Sequence, residues 1–379
     1  MTNRILFYLC GWFLGWGGFC SCQHPDGVDP DGRVGQLVAD AGITDRQLIK
    51  ANEFNAALTA GGKKQASVYV YHRHTIVRYP GEKGARKLAA RIVLMGYTDV
   101  LLSVHPQNGK SFAELANKAW IRIFNSYLNS HNVRVHALMF SEASQFDRAK
   151  NKEIYIHASV IQQYNRTVHA NERFAGASAD WEPHSLKPNS TLSSEANLLM
   201  LDRWNNDRYG KHAANDRLLK RTLEMLALAK FYLDEISRVY HLPELSLNEA
   251  INYSFQERQN KGQLSFGDIS RFITDGHCKD VNVMAYNHNK EEVWRRAQSN
   301  LAAADKGGHT NSVYICIKTR LGDDESDATS LKPQGWDYLI ETFNYLHKQA
   351  AGYASMKGIA VYDYSDTEQM WLQQSSVAF

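Results

Sequence analysis

Two carboxylates stand two residues apart in the stretch FAGASADWE, which ends in Asp180, Trp181 and Glu182. Residues i and i+2 of a strand face the same way, so the two carboxylates point to one side and Trp181 points to the other. Two carboxyl groups held close raise one another's pKa, because both cannot ionise cheaply. One of them then stays protonated near neutral pH, as a general acid requires. The spacing equally fits a strand end whose Asp and Glu accept hydrogen bonds from loop amides.

Polar residues also close most of the other strand-like segments. The further candidates for contact with a ligand are Tyr71, Glu142, Tyr286, Asn287, Asp363 and Tyr364. Each one alone suits a solvent-facing loop, but their occurrence at most strand ends indicates a shared site. In a barrel of parallel strands, the carboxyl ends of all strands meet at one face, from which catalytic side chains project.

The segments that would position these residues alternate between strand and helix patterns. Short runs rich in β-branched and aromatic residues predict strands over 66–72, 99–105, 133–140, 174–180, 247–255, 281–286, 312–318 and 358–364. Apolar residues at helical spacing predict helices over 83–95, 112–130, 217–240, 290–304 and 336–351. This alternation predicts an α/β fold, a (β/α)8 TIM barrel. A doubly wound open sheet is the alternative, but no G-x-G-x-x-G motif follows the first strand to support a dinucleotide site.

The composition is that of a globular protein. The 379 residues are 44% hydrophobic and 22% charged, which are ordinary values for a folded domain. The length accommodates one barrel of roughly 250 residues with insertions. The 43 basic and 40 acidic residues give a net charge of +3, which is too small to indicate a nucleic acid partner.

The first residues are typical of an export signal. Residues 5–16 are apolar but too few to span a bilayer, and small residues follow them. The stretch Cys20-Ser21-Cys22 resembles the cleavage site of a bacterial lipoprotein, in which the residue after the cut is a lipidated Cys. Cys22 is the better candidate for this anchor and Cys20 is the second, whereas a plain secretory signal is the alternative.

These patterns predict three regions. Residues 1–21 form the signal peptide, residues 22–62 form a polar tether with a weakly ordered lead-in, and residues 63–379 form the barrel. The protein would then be exported to the cell envelope and would contact the membrane through its lipid anchor only. The oligomeric state does not follow from the sequence.

Cys278 and Cys316 are the cysteines of the predicted barrel. Neither belongs to a C-x-x-C pattern, so a zinc site is not indicated. An oxidising compartment would allow them to pair. Two buried free thiols are the favoured alternative, since Cys316 lies in an apolar strand-like run.

The connection over residues 183–211 is unusually long. Connections of this length are usually functional or disordered, and after the fourth strand this one would lie beside the active face of a barrel. We therefore predict a lid or substrate wall. Trp204 within it is the aromatic residue most expected to be exposed and to stack on a sugar, whereas core packing is the default for the other aromatic residues.

Two motifs resemble glycoside hydrolase family 18, which contains chitinases and endo-β-N-acetylglucosaminidases. The strand-four signature of that family reads F-D-G-x-D-x-D-W-E. It is matched here by Phe174, Gly176, Asp180, Trp181 and Glu182. The segment MAYN, residues 284–287, resembles the strand-six motif M-x-Y-D or M-x-Y-N. The resemblance covers residues 66–375 and is specific at these two motifs.

The resemblance implies a mechanism and a set of roles. Glu182 would protonate the glycosidic oxygen, and Asp180 would orient the acetamido group of the substrate. The carbonyl oxygen of that group is the nucleophile, in a variant of retaining hydrolysis that does not use a second carboxylate. Tyr286 would hydrogen-bond the acetamido oxygen, and Asn287 would bind a sugar hydroxyl. No metal or organic cofactor is implied.

The sequence departs from the family pattern at three points. Ala175 and Ser178 replace the first two Asp residues of the strand-four signature. The loss at position 178 removes a like-charged neighbour of Asp180 and changes its protonation coupling. The strand-eight Trp that forms the floor of the family's site has no counterpart, and Tyr362 and Tyr364 stand in that region.

Three functional hypotheses follow. The first is a retaining glycosidase acting on N-acetylglucosamine-containing glycans. The second is a glycosidase that cleaves another sugar by a two-carboxylate mechanism, with Asp180, Glu142 or Asp363 as the second carboxylate. The third is a non-catalytic surface lipoprotein that binds glycans. The retained Asp180, Glu182 and Tyr286 favour the first hypothesis, whereas the two missing Asp residues favour the others.

Overall fold

The computed structural model describes residues 33–60, 65–71, 75–104, 118–186, 204–206, 210–321 and 327–376. Cys22, the signal peptide and most of the 183–211 connection lie outside these residues, so the lipid anchor and the lid stay predictions. Among the described helices, none combines the length and the apolar character needed to cross a membrane.

Eight parallel strands form a closed barrel in sequence order, which confirms the predicted (β/α)8 fold. They are β1 (Gln65–Val70), β2 (Asp99–Ser103), β3 (Arg134–Phe140), β4 (Gly176–Ala179), β5 (Ser246–Asn252), β6 (Asp280–Met284), β7 (Val313–Lys318) and β8 (Met356–Tyr362). β1 pairs with β8 and closes the barrel. The predicted strands differ from these only at their ends.

Helices surround the strands. They are α1 (Arg33–Ala41), α2 (Asp45–Leu58), α3 (Gly81–Leu94), α4 (Lys118–Ser130), α5 (Asn151–Arg166), α6 (Ala213–Tyr240), α7 (Ser254–Asn260), α8 (Ile269–Thr274), α9 (Lys290–Lys306), α10 (Trp336–Gln349) and α11 (Tyr364–Ser376). The sequence did not predict α1, α2, α5, α7, α8 or α11, and the last four of these lie in connections that follow a strand.

Side chains along each strand alternate between two apolar layers. Outward-facing residues such as Val68, Ala177 and Val283 belong to the main core between the strands and the helices. Inward-facing residues form a separate cluster inside the barrel, which contains Tyr69, Leu101, Leu138, Tyr314, Cys316 and Ala360. The same alternation directs the side chains at the carboxyl ends of the strands either into the barrel or toward the helices.

The amino-terminal end of the barrel is filled by a polar network. The Asp99 carboxylate lies 2.8 Å from His136 Nε2 and 2.9 Å from Arg134 Nη2, and it accepts a hydrogen bond from the Tyr314 hydroxyl at 3.1 Å. Although burial acts in the opposite direction, the hydrogen bond from His136 and the charges of His136 and Arg134 hold the pKa of Asp99 well below its ordinary value. In barrels of this type the amino-terminal end supports stability rather than catalysis.

Residues 33–58 differ from the weakly ordered lead-in that the sequence predicted, because they form α1 and α2. The Gln47 N–H donates to the Thr44 hydroxyl at 3.3 Å, and the Thr44 N–H donates to the Gln47 side chain at 2.9 Å. This reciprocal capping box fixes the start of α2. Phe54 is fully buried and stacks on Trp336 of α10, with ring centroids 5.2 Å apart. The two helices are therefore packed elements of the domain.

Cys278 and Cys316 are buried free thiols, which confirms the favoured alternative. Cys278 belongs to the outer core and Cys316 to the cluster inside the barrel. The wall of the barrel thus separates the two thiols, and a disulfide between them would require the strands to move.

Candidate active site

Asp180 and Glu182 follow directly on β4, at the carboxyl-terminal face of the barrel. The Asp180 N–H donates to the Phe140 carbonyl at 2.8 Å, which continues the pairing between β3 and β4 by one residue. Trp181 is 1% exposed and points outward, where its indole N–H donates to Gln145 Oε1 at 2.8 Å. The outward direction of Trp181 confirms the predicted alternation. It leaves the two carboxylates on the inner face.

Four tyrosines line the inner face at this end of the barrel. Tyr69 and Tyr71 come from β1 and its end, Tyr286 follows β6, and Tyr362 ends β8. Tyr362 is the centre of the cluster. Its ring centroid lies 5.7 Å from that of Tyr69, 5.6 Å from that of Tyr71 and 5.7 Å from that of Tyr286. Edge-to-face and stacked contacts of this kind hold aromatic rings in fixed orientations.

Asp180 lies beside this tyrosine cluster. Burial and the neighbouring charge of Glu182 raise the pKa of Asp180 to about 7. Burial is the main cause of the raised pKa values of Tyr71 and Tyr286, and the negative charge of Asp180 raises them further. Charges interact this strongly only at short range in a poorly solvated site. The structure therefore brings together Asp180, Glu182, Tyr71 and Tyr286, all of which the sequence singled out.

Glu182 is half-buried and stands at the start of a short 3-10 helix, Pro183–Ser185. The Ser185 hydroxyl donates to Glu182 Oε2 at 2.6 Å, which restrains the carboxyl group. The charge of Glu182 also acts on His184, whose pKa burial nevertheless lowers. Glu182 is thus held at the mouth of the barrel, next to Asp180. It forms no buried ion pair with any residue that the structure describes.

Lys318 is a residue of this site that the sequence did not single out. It ends β7 on the inner face, is 5% exposed, and places Nζ 5.9 Å from the Tyr286 ring centroid. Burial and the charge of Arg320 lower its pKa, whereas the charge of Glu182 acts in the opposite direction. The sequence does contain an indication of this position. Lys318 follows Tyr314 and Cys316 at intervals of two residues, so it faces the same side of the strand, at the end of an otherwise apolar run.

Tyr364 belongs to the outer core and does not face the site, so its prediction as a ligand contact was wrong. Asp363 is buried at the start of α11, and its contact with a ligand stays a prediction. β8 ends at Tyr362, and the peptide bond that follows it is cis. Asp363 is 1% exposed, and its Oδ1 accepts from the Asp366 N–H at 3.2 Å at the start of α11. Tyr364 is fully buried and its hydroxyl donates to Glu368 Oε1 at 3.0 Å. Tyr362 instead occupies the strand-eight position at the floor of the site.

The remaining candidates lie around the tyrosine cluster. The side-chain oxygen of Asn287 accepts from the Asn289 N–H at 2.9 Å, which shapes the turn after β6. Glu142 is exposed on the connection after β3. Trp204 is only half-buried, but its ring packs 5.2 Å from that of Phe255, and the Arg258 guanidinium lies 5.5 Å from it. The packing of Trp204 differs from the open platform that the sequence predicted, and the contacts of these three residues with a ligand stay predictions.

The two replaced Asp positions differ in their distance from the site. Ala175 precedes β4, at the opposite end of the strand from Asp180, and a strand of five steps spans roughly 16 Å. Ser178 is fully buried on the inner face and precedes Asp180 by two residues along the strand. Its hydroxyl makes no hydrogen bond within the described part of the chain. Only the replacement at 178 therefore changes the surroundings of Asp180. Gly176 is retained because a Cβ there would overlap His136 and Ser246.

No group of three or more His, Cys, Asp or Glu residues within the described ranges is arranged to hold a metal ion. The chemistry that the arrangement itself supports is proton transfer. It has one carboxyl group that keeps its proton to about pH 7, a second carboxyl group two residues on, and phenol hydroxyls that remain protonated.

Comparison with solved structures gives a relationship of fold. The chain is similar to the PgaB (BpsB) glycoside hydrolase domain from Bordetella bronchiseptica, at 12% identity over 83% of this chain and 98% of that domain, with a TM-score of 0.51. A GH18 chitinase from Pseudoalteromonas aurantia matches at 12% identity over 82% of this chain and 99% of its own, with a TM-score of 0.49. A GH18 chitinase from Cycas revoluta, solved in complex with (GlcNAc)3, matches at 12% identity over 82% and 98%, with a TM-score of 0.47.

No protein-family model and no curated protein matches the sequence. At 12% identity, the first of these structures shows the fold: this chain is a (β/α)8 barrel of the kind found in a glycoside hydrolase domain. One fold serves many activities, so the function has to be argued from the site.

Proposed function

We propose that this protein is a retaining glycoside hydrolase that acts on N-acetylglucosamine-containing glycans, with Glu182 as the general acid. The observation that carries the proposal is the carboxyl pair at the end of β4. Asp180 keeps its proton to about pH 7 beside the tyrosine cluster, and Glu182 lies two residues further on at the mouth of the barrel. The strand-four and strand-six motifs and the fold shared with a glycoside hydrolase domain support the same assignment.

The proposed reaction begins with proton transfer from Glu182 to the glycosidic oxygen as the bond from that oxygen to C1 breaks. The acetamido carbonyl oxygen of the same sugar attacks C1 and forms a cyclic intermediate. Water then attacks C1, its proton returns to Glu182, and the ring of the intermediate opens. Two displacements at C1 give net retention of configuration.

Each residue of the site has a role in this scheme. Asp180 and Glu182 share one proton up to about pH 7. With that proton on Glu182, the ionised Asp180 accepts a hydrogen bond from the acetamido N–H and stabilises the positive charge that develops on the acetamido group. The Tyr286 hydroxyl, which lies 3.7 Å from Cys316 Sγ, donates to the acetamido oxygen. Tyr71 and Tyr362 form an apolar wall that excludes water from the intermediate. Asn287 binds a sugar hydroxyl.

The two-carboxylate alternative has less support. Asp363 is engaged at the start of α11, and Glu142 is exposed on the connection after β3. Asp180 lies beside Glu182, and the charges of both also act on the fully buried Glu249. Burial raises the pKa of Asp180 and of Glu249, which disfavours an ionised nucleophile at neutral pH in either position.

A pair of oligosaccharides that differ only in their N-acetyl groups tests the proposal. The acetylated member supplies the nucleophile, so we expect its hydrolysis to be at least about 10²-fold faster than that of the deacetylated member. Product formation is followed by chromatography and compared with binding by calorimetry. Equal rates would favour a two-carboxylate mechanism. Binding of both members with hydrolysis of neither would contradict an enzymatic role.

The pH dependence of kcat/KM provides a second prediction. The ordinary pKa of an Asp is 3.8, and burial together with Glu182 raises that of Asp180 to about 7. The pair therefore retains a proton up to that pH, and above it that proton is lost and none remains for the leaving group. We expect kcat/KM to fall as the pH rises through about 7.

The Asp180→Asn variant checks which groups produce this fall. The amide removes the like charge that retains the last proton of the pair, so the fall in kcat/KM should begin at a lower pH. An alkaline limb that stays near pH 7 in both proteins would show that another group titrates. The same sign applies to stability, because the folded state gains from a protonated Asp180 and loses this contribution as the pH rises from about 4 to about 7.

A further inference from the structure

A cationic groove lies on the outside of the barrel, between α3 and α11. It has a volume of about 420 Å³, and the segment 78–80 lines it together with residues of the two helices. Four of its lining residues are cations, namely Arg78, Lys83, Lys87 and Arg91, and one is an anion, Glu368. The groove therefore carries three positive charges in excess, although the whole chain carries a net charge of only +3.

The cations of α3 form a row. Lys83, Lys87 and Arg91 are four residues apart, so they share one face of the helix and extend over roughly 12 Å. Like charges at this spacing repel each other and destabilise a helix unless a counter-charge lies between them. Neither Lys83 nor Lys87 forms an ion pair within the described residues. The row thus has room for an anion that the described residues do not supply.

The floor of the groove is rigidly built. Glu368 is 1% exposed, and Arg91 is 7% exposed with its Nη1 2.9 Å from Glu368 Oε1. Arg78 Nη2 lies 2.6 Å from Glu368 Oε2, and the hydroxyls of Tyr79 and Tyr364 donate to Glu368 Oε1. Glu368 accepts four hydrogen bonds in total and fixes two guanidinium groups, and among the described residues neither Lys83 nor Lys87 pairs with it. The floor of the groove is thus held by charge-assisted hydrogen bonds, which are stronger than hydrogen bonds between neutral groups.

The first turn of α3 contributes partial positive charge from its backbone, although the acidic Glu82 lies in the same turn. The helix begins after Pro80, whose side chain provides no hydrogen bond to the first N–H groups. Unsatisfied N–H groups at a helix N-terminus carry partial positive charge and favour an anion. Pro80 and Lys83 both line the groove, so the start of the helix and the lysine row meet there.

We propose that this groove binds a phosphate-bearing group. A phosphate ester carries up to two negative charges and several acceptor oxygens, which matches a row of lysine ammonium groups better than a single carboxylate does. The inference is independent of the proposed hydrolase activity, because α3 and α11 pack on the outer side of the barrel and the groove has no residue in common with the tyrosine cluster.

Binding to two phosphate sources tests the proposal on the full chain. Inorganic pyrophosphate is titrated by calorimetry, and vesicles of phosphatidylcholine, with or without phosphatidylglycerol, are tested by flotation. The groove variant combines Lys83→Glu and Lys87→Glu. The control combines Lys261→Glu and Lys279→Glu, which makes the same change in charge at exposed positions outside the groove. Glycan hydrolysis and thermal unfolding of both variants are measured in parallel.

We expect the wild type to bind pyrophosphate, phosphatidylglycerol vesicles or both, and the groove variant to bind at least about tenfold more weakly. The control should bind within about twofold of the wild type. Binding of pyrophosphate identifies a soluble phosphate group as a sufficient ligand, whereas binding of vesicles alone identifies a lipid headgroup. Equal losses in the two variants, or no binding of either probe by the wild type, would overturn the proposal.

Discussion

Replacing Glu182 by Gln lowers kcat for hydrolysis of an N-acetylglucosamine-containing glycan by about 10²- to 10⁴-fold. The amide keeps the size of the side chain and can still bond to the Ser185 hydroxyl, which lies 2.6 Å from Glu182 Oε2. It cannot transfer a proton to the leaving oxygen. We therefore expect the loss to fall on kcat, with binding of the glycan largely retained.

The matched control for this variant is Glu235→Gln. Glu235 is an exposed residue of α6 that pairs with Arg238 on the surface, so its replacement should leave hydrolysis unchanged. Circular dichroism and thermal unfolding establish that both variants are folded. Wild-type activity in the Glu182→Gln protein would rule out Glu182 as the acid.

Replacing Glu368 by Ala lowers the free energy of unfolding by about 3–5 kcal/mol. Glu368 is buried and bonds to Arg78, Arg91, Tyr79 and Tyr364. Without it, the guanidinium of Arg91 stays buried with no carboxylate beside it, and a buried charge without a counter-charge is costly. Chemical denaturation of the purified protein measures the loss.

The control for the stability prediction is Glu235→Ala. Its ion pair with Arg238 is exposed, with side-chain exposures of 44% and 72%, so its removal should have a far smaller effect. If Glu368→Ala does not fold, Glu368→Gln provides the measurement, because Gln keeps an acceptor for the tyrosine hydroxyls and removes only the charge. A cost for Glu368→Ala no greater than that for Glu235→Ala would contradict the role of this network.

The sequence predicted the barrel because local patterns and the global fold agree. Runs such as VYICIK, Val313–Lys318, are apolar and β-branched over the length of one strand, and the helices between the strands show one apolar face. The lead-in was less visible. The helix α2 (Asp45–Leu58) is polar on most of its surface, and the T-x-x-Q pattern of its capping box, Thr44 to Gln47, is the signal that could have identified its start.

The strand-four part of the site was predictable because it is local. Asp180, Trp181 and Glu182 alternate along one strand, and alternation is a property of the backbone. The prediction of the site residue Tyr364 on strand eight failed because the predicted strand ended two residues too late. Tyr364 therefore lies at the start of a helix, and Tyr362 lies in the tyrosine cluster.

Features that depend on distant parts of the chain could not be predicted. Lys318 is buried at the end of β7, although lysines are rarely buried, and its spacing from Tyr314 and Cys316 indicated only the direction of its side chain. The cationic groove combines Arg78 and the row on α3 with Glu368. Nearly the whole barrel lies between α3 and Glu368 in the sequence. Only the closure of β1 on β8 brings these segments together.

The role of Glu182 is tested most directly by comparing two leaving groups. Wild type and Glu182→Gln are assayed on an N-acetyl-β-glucosaminide whose leaving group is a sugar alcohol, and on one whose leaving group is dinitrophenolate. A sugar alkoxide needs a proton to depart, whereas dinitrophenolate departs without one. We predict a loss of about 10²- to 10⁴-fold on the first substrate and less than about tenfold on the second. Equal losses on both substrates, or no loss on the first, would contradict the assignment of Glu182 as the general acid.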